Sequence, residues 1–206
     1  MEKINNKFLK RDFFCNETIN VAYNLIGKYF VRVIDKNKIV GLIVETEFYG
    51  DKNDLASHAR FKNSSRNNIM FGQAGFLYIY KIYGVHCLTN IIIGKAGNAG
   101  AVLIRSAEII DGLKLAEKNI SNNKFLKINN KIATGPGKFS SAFGIDTKFN
   151  NFDLIRSKKL YIQDSGLKIK KSDIIKSKRI GIDYALDSRD KLWRFYLKDN
   201  QFVSRQ

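Results

Sequence analysis

With 206 residues and 23.6 kDa, the chain is the size of one domain with a core large enough to fold alone. Hydrophobic residues make up 44% and charged residues 27%, a globular composition that excludes a disordered or fibrous chain. No apolar run approaches a membrane span, the first twenty residues hold no block like a secretory signal, and two cysteines, Cys15 and Cys87, are too few for a disulfide framework. These features lead us to expect a monomer in a reducing cytoplasm, a single domain over residues 1–206 with no membrane partner.

In chain order, residues 16–27 read as a helix. Asn16 is the expected cap, Ile19, Ala22, Leu25 and Ile26 form the apolar stripe, and Gly27 is the stop. Residues 28–34 and 39–49 read as two strands around a polar turn at 35–38. Residues 50–75 are polar and glycine-punctuated, hence mostly loop, and 76–93 reads as a second hairpin with Tyr83-Gly84 near its tip. A strand over 101–108 and a short helix over 111–119 follow, and strand-like segments recur at 160–163 and 195–197. The only proline, Pro136, lies in Gly-Pro-Gly-Lys138, a turn entering a helix. The lack of a glycine five residues before Gly137 excludes a phosphate-binding P-loop there. Hairpins with a few helices imply an α+β fold, a single compact domain with a mainly antiparallel β-sheet core and helices around it.

Thirty-six Lys plus Arg against nineteen Asp plus Glu leave a formal charge of +17, a field that attracts phosphate backbones. Residues 111–180 carry 16 basic and 6 acidic side chains, which is +10 of that charge. Lysine outnumbers arginine, 26 to 10, so genome bias is a competing source of part of the excess.

The segment Ile43-Val-Glu-Thr-Glu-Phe-Tyr49 is the most informative. Strand alternation puts Glu45, Glu47 and Tyr49 on one face and Val44 and Phe48 on the other. Carboxylates two residues apart on a strand lie roughly 7 Å apart and are expected to raise each other's proton affinity. A carboxylate fixed by a strand suits a general base, though a solvent-facing edge would look the same. In Phe76-Leu-Tyr-Ile-Tyr-Lys-Ile-Tyr-Gly84, alternation groups Phe76, Tyr78 and Tyr80, places Lys81 on the opposite face and Tyr83 at the turn. Aromatic rings beside basic residues can stack on bases or wedge between them, and can equally be core. His58, His86 and the cysteines lack the spacing of a structural zinc site, and the absence of a Gly-x-Ser-x-Gly elbow argues against the commonest serine hydrolases.

These segments stand in order with Ala56-Ser-His58, Arg66-Asn67, Met70-Phe-Gly72, Asn90, Val102-Leu-Ile-Arg105, Gly135-Pro-Gly-Lys138, Arg179-Ile-Gly181, Trp193-Arg-Phe-Tyr196 and Phe202-Val-Ser204. Together they resemble the alkyladenine (3-methyladenine) DNA glycosylases of the methylpurine type, from about residue 20 onward. The resemblance implies an enzyme that flips a damaged purine out of duplex DNA and hydrolyses its N-glycosidic bond, without lyase activity or cofactor. By that resemblance Glu47 is the general base and Arg105 helps position the water. Tyr49, His58 and Tyr80 line the base pocket, and Asn90 filters exocyclic groups. Tyr83, on a β-hairpin that enters DNA, fills the vacated stack, and Tyr78, Lys81 and Lys138 meet the DNA. The chain departs from the family pattern at Val85 after the tip glycine, at Ser64-Ser-Arg-Asn67, and at Lys81 between the tyrosines. A non-catalytic nucleic-acid-binding module and a basic ribosome-associated protein are the competing readings.

Overall fold

The computed structural model describes residues 7–16, 18–61, 68–123, 125–126 and 129–206; Arg66-Asn67 and the Ser64–Asn67 departure lie outside them. Helices α1 (Arg11–Cys15) and α2 (Thr18–Leu25) precede strands β1 (Tyr29–Ile34) and β2 (Asn37–Tyr49). The β-hairpin of β3 (Leu77–Ile82) and β4 (His86–Ile92) leads to β5 (Ala101–Asp111), then α3 (Leu113–Ser121) and α4 (Pro136–Ala142). Short strands β6 (Leu160–Gln163), β7 (Ile174–Ser177) and β8 (Arg194–Leu197) complete an eight-stranded antiparallel sheet. The fold is α+β, as expected. Among the described residues no helix is long and apolar enough to cross a membrane.

The sheet runs β3-β4-β5-β2-β1-β6, with β8 attached to β2 and β7 to β8. Strand β2 is the centre. Along its first half β1 pairs with it, from Tyr29 opposite Leu42 to Ile34 opposite Asn37. Where β1 leaves, β8 takes its place and pairs with Glu45, Thr46 and Glu47. Strand β5 runs along the other side throughout. The end of β2 therefore has hydrogen-bonded neighbours on both edges, and its three consecutive polar residues, Glu45, Thr46 and Glu47, are wholly buried.

One face of the sheet packs on the helices. Phe30 of β1 meets Phe139 of α4 and Phe143 just after it, each at 5.1 Å between ring centroids, in edge-on contacts. Thr46 Oγ1 donates to the Ala22 carbonyl at 2.8 Å and ties β2 to α2. The other face carries a smaller cluster of Met70, Tyr78, Ile92, Ala99 and Ala101, with Phe76 and Tyr80 packed against it. Leu77, Ile79 and Ile91, the alternate residues of the same hairpin, belong to the helix-side core.

Several expectations are corrected. Asn16 closes α1 as its C-terminal cap, and α2 starts two residues on, at Thr18, so Asn16 does not immediately precede it. Strand β5 continues to Asp111, and α3 begins two residues later, after Gly112 turns the chain with φ 81°. Strand β7 carried no alternation strong enough to read. The faces of β2 also differ from simple alternation. Ile43 and Phe48 join the helix-side core, whereas Val44 packs with Leu42 and Val203 on the opposite side. The ladder with β5 is irregular from Ile43 to Thr46, where Ile43 pairs with Ala107, Glu45 with Ser106 and Thr46 with Ile104. Val44 and Arg105 have no partner in that register, so each strand carries an extra residue at the same level. These facing bulges put Val44 on the same side as Glu45 and re-aim the residues that follow.

Gly112 has no room for a side chain. A Cβ there would sit 2.2 Å from the Lys38 carbonyl oxygen, at a backbone angle only glycine adopts freely. Gly112→Ala is expected to destabilise by more than the about 1–2 kcal/mol of left-handed backbone alone, read from urea midpoints. An unchanged midpoint would contradict this junction between β5 and α3.

Candidate active site

The bulges gather ionised groups that alternation alone would not have brought together. Arg105, the extra residue of β5, lies between the two glutamates of β2. Its Nε donates to Glu45 Oε1 at 2.9 Å and its Nη1 to Glu47 Oε2 at 3.2 Å. The Tyr49 hydroxyl donates to the same Glu47 Oε2 at 2.9 Å, and the Ile180 amide donates to Oε1 at 2.7 Å. Glu47 has no exposure to solvent, yet its carboxylate has three donors. This satisfies the requirement that a buried charge be paired and hydrogen-bonded.

The electrostatics follow from burial and pairing. Burial alone would push the Glu45 carboxyl up, but Arg105 and Arg194 outweigh it and hold Glu45 below the ordinary glutamate value. The expectation that Glu45 is pushed up by its neighbouring carboxylate is therefore corrected, because a guanidinium stands between the pair. Burial likewise disfavours charge on Arg105, but Glu47 and Glu45 together keep it above its ordinary value. Burial, then the nearby Glu47 charge, pushes the Tyr49 phenol well up. Tyr49 keeps its proton and acts as a donor.

Beside this cluster lies a pocket lined by Tyr49, His58, Tyr78, Tyr80, Asn90 and Met70, among others. His58 Nδ1 is 2.9 Å from the Tyr78 hydroxyl, and its ring is 4.6 Å from that of Tyr80. Asn90 donates to the Tyr78 carbonyl at 3.1 Å. The space between these side chains is about 20 Å³, enough for one water and far too small for a purine. Tyr78, expected to meet DNA, is buried in this wall.

The remaining predicted residues lie outside the pocket. Tyr83 is 89% exposed at the hairpin tip, in a turn where Tyr83 and Gly84 have φ of 51° and 68°. A left-handed tyrosine is uncommon, and the turn holds its ring out into solvent. Lys81 is exposed on the adjacent strand, and Lys138 reaches Asn129 at 3.3 Å from the first turns of α4. Among the described residues no three of His, Cys, Asp or Glu are gathered to hold a metal ion.

Over residues 12–201 the chain matches the family model of the methylpurine-DNA glycosylases. It belongs to that family. Similar relatives include proteins named "Putative 3-methyladenine DNA glycosylase" from Natranaerobius thermophilus and Clostridium perfringens. The first is 40% identical over 199 residues, 95% of this chain and 98% of the relative. The second is 41% identical over 204 residues, 96% and 99% respectively. A third of the same name, from Clostridium botulinum, is 41% identical over 95% of this chain and 98% of its own. The family match spans both strands that carry Arg105 and Glu47 and the segment that carries Ile180.

The side chains behind the site had no role assigned from sequence. Arg179 is buried, donates to both oxygens of Asp54 at 2.6 and 2.8 Å, and stacks between the rings of Tyr49 and Trp193 at 4.8 and 5.0 Å. It thereby holds one wall of the pocket and the segment that aims the Ile180 amide. Its partner lies 125 residues away in sequence, and nothing local in either segment announces the pair.

Burial opposes ionisation of Asp54, but Arg179 and the Gly50 and Ala56 amides outweigh it and hold its carboxyl below the ordinary value. Asp54 and Glu45 thus contribute stability that is complete above the ordinary carboxylate range and lost as pH falls through their lowered values. Asp54→Ala strands the Arg179 charge and is expected to cost about 3–5 kcal/mol at neutral pH. The variant should also lose less of its remaining stability on acidification than the wild type. Parallel acid-denaturation curves would contradict this role for Asp54.

Proposed function

We propose that this protein is a monofunctional DNA glycosylase that removes alkylated and deaminated purines from duplex DNA and leaves an abasic site. One observation carries the reading: in a chain of this family, a fully buried, triply hydrogen-bonded Glu47 carboxylate is bonded to Tyr49, which lines an aromatic pocket. In the proposed reaction the damaged base leaves the stack, and Tyr83 fills the space behind it. The Tyr80 and His58 rings separate to admit the base, since the pocket as it stands holds no more than a water. The lesion contributes to its own selection, because a damaged or mispaired base costs least to unstack.

The Glu47 carboxylate takes a proton from the attacking water as the glycosidic bond breaks. Its charge also offsets the positive charge that builds on the sugar. Arg105 holds the carboxylate in place, and Asn90 meets the edge of the base. Tyrosine faces favour a cationic methylated purine through cation–π attraction. Among the described residues no lysine lines the pocket, which favours water over an amine as the nucleophile.

The test is single-turnover release from a duplex with one hypoxanthine, alongside methylated genomic DNA, each followed by alkali to break abasic sites. Wild-type protein is expected to release base from both, and Glu47→Gln to fall by about 10²–10⁴-fold while still binding DNA. Binding without release by the wild type would contradict an enzyme and leave a nucleic-acid-binding module.

A further inference from the structure

We infer that Glu45 is a positioning residue for Glu47: by engaging Arg105, it limits the hold of that guanidinium on the base. The inference rests on the glycosylase reading above and names a residue that takes no part in the bond-breaking step itself.

The observation is an asymmetry in how the two carboxylates are held. Glu45 Oε1 accepts from Arg105 Nε at 2.9 Å, from Arg194 Nε at 2.7 Å and from the Ser204 hydroxyl at 2.9 Å. Its Oε2 accepts from the Ser106 hydroxyl at 2.8 Å and the Ser204 amide at 2.7 Å. Five donors from β5, β8 and the 204 segment therefore fix one fully buried carboxylate. Glu47 receives only a single contact from Arg105, at 3.2 Å the longest ion pair of the cluster. A guanidinium free to choose would present a parallel pair of N–H groups to one carboxylate. On Glu47 that arrangement would occupy the lone pairs that a water needs and weaken the base. Because Glu45 takes Nε and Nη2 turns to the Ser204 hydroxyl at 3.4 Å, only Nη1 of Arg105 is directed at Glu47.

The charges balance in the same way. Glu47 faces Tyr49 from its own strand and Arg105 from β5, with Arg194 of β8 opposite it in register and Asp54–Arg179 behind Tyr49. Two guanidiniums, Arg105 and Arg194, are matched by two carboxylates, Glu45 and Glu47. Without the Glu45 charge the cluster carries a net positive charge, and Glu47 is the one carboxylate of the pair left to Arg105.

The test is the pH dependence of single-turnover base release for wild type, Glu45→Gln and Arg194→Gln, with DNA binding and thermal melting measured on each. Glu45→Gln is expected to lose about 100-fold in rate with DNA affinity kept, and to move the acid limb to lower pH. Arg194→Gln removes positive charge and should move that limb to higher pH, so it decides the matter even if Glu45→Gln does not fold. A scaffold role alone would lower both rates and leave both limbs in place, which overturns the inference. Limbs that shift in the same direction overturn it as well. Absence of base release by the wild type is a distinct result, which overturns the glycosylase reading and the inference with it.

Discussion

The site depends on one guanidinium shared by two buried carboxylates. Arg105 reaches Glu45 and Glu47 from the neighbouring strand, and each of the three is nearly or wholly removed from water. Any one of them alone at that depth would be costly; together with Arg194 they form a neutral group with its hydrogen bonds met. The rest of the structure supplies that group's surroundings. Strands β5 and β8 flank β2 where the glutamates stand, facing bulges aim the side chains, and segments around residues 180 and 204 add backbone donors.

The two sides of the site differ in how they are held. The carboxylate side is over-determined, with each oxygen of Glu47 held by a donor. The pocket side is a set of rings in contact, with His58 and Tyr80 half-buried at the mouth and little space between them. Under the proposed glycosylase reading, the carboxylate stays in place while the rings part, which suits preorganised charge beside a pocket that admits a bulky ring.

Much of this was legible in the sequence. The run around Glu47, the alternating tyrosines and the glycine at the hairpin tip mark strands and a turn by local pattern, and the ordered motifs carry the family. The failures have a common cause. Val44 changed faces because two bulges formed opposite each other, and a bulge leaves no mark in a period-two reading. The Glu45 carboxyl is lowered rather than raised because Arg105, 60 residues away, stands beside it. Ile180 contributes through its backbone amide, which side-chain identity does not reveal. The Asp54–Arg179 pair joins two loops whose approach is a property of the finished fold.

The most direct test is a double-mutant cycle on Glu47 and Arg105, read as the single-turnover rate of base release from methylated DNA. If the two act as one unit, Glu47→Gln with Arg105→Gln should be scarcely slower than Glu47→Gln alone, as groups that work together lose function together. Losses that multiply would show that Arg105 acts independently of the carboxylate and would contradict the shared guanidinium as the centre of the site.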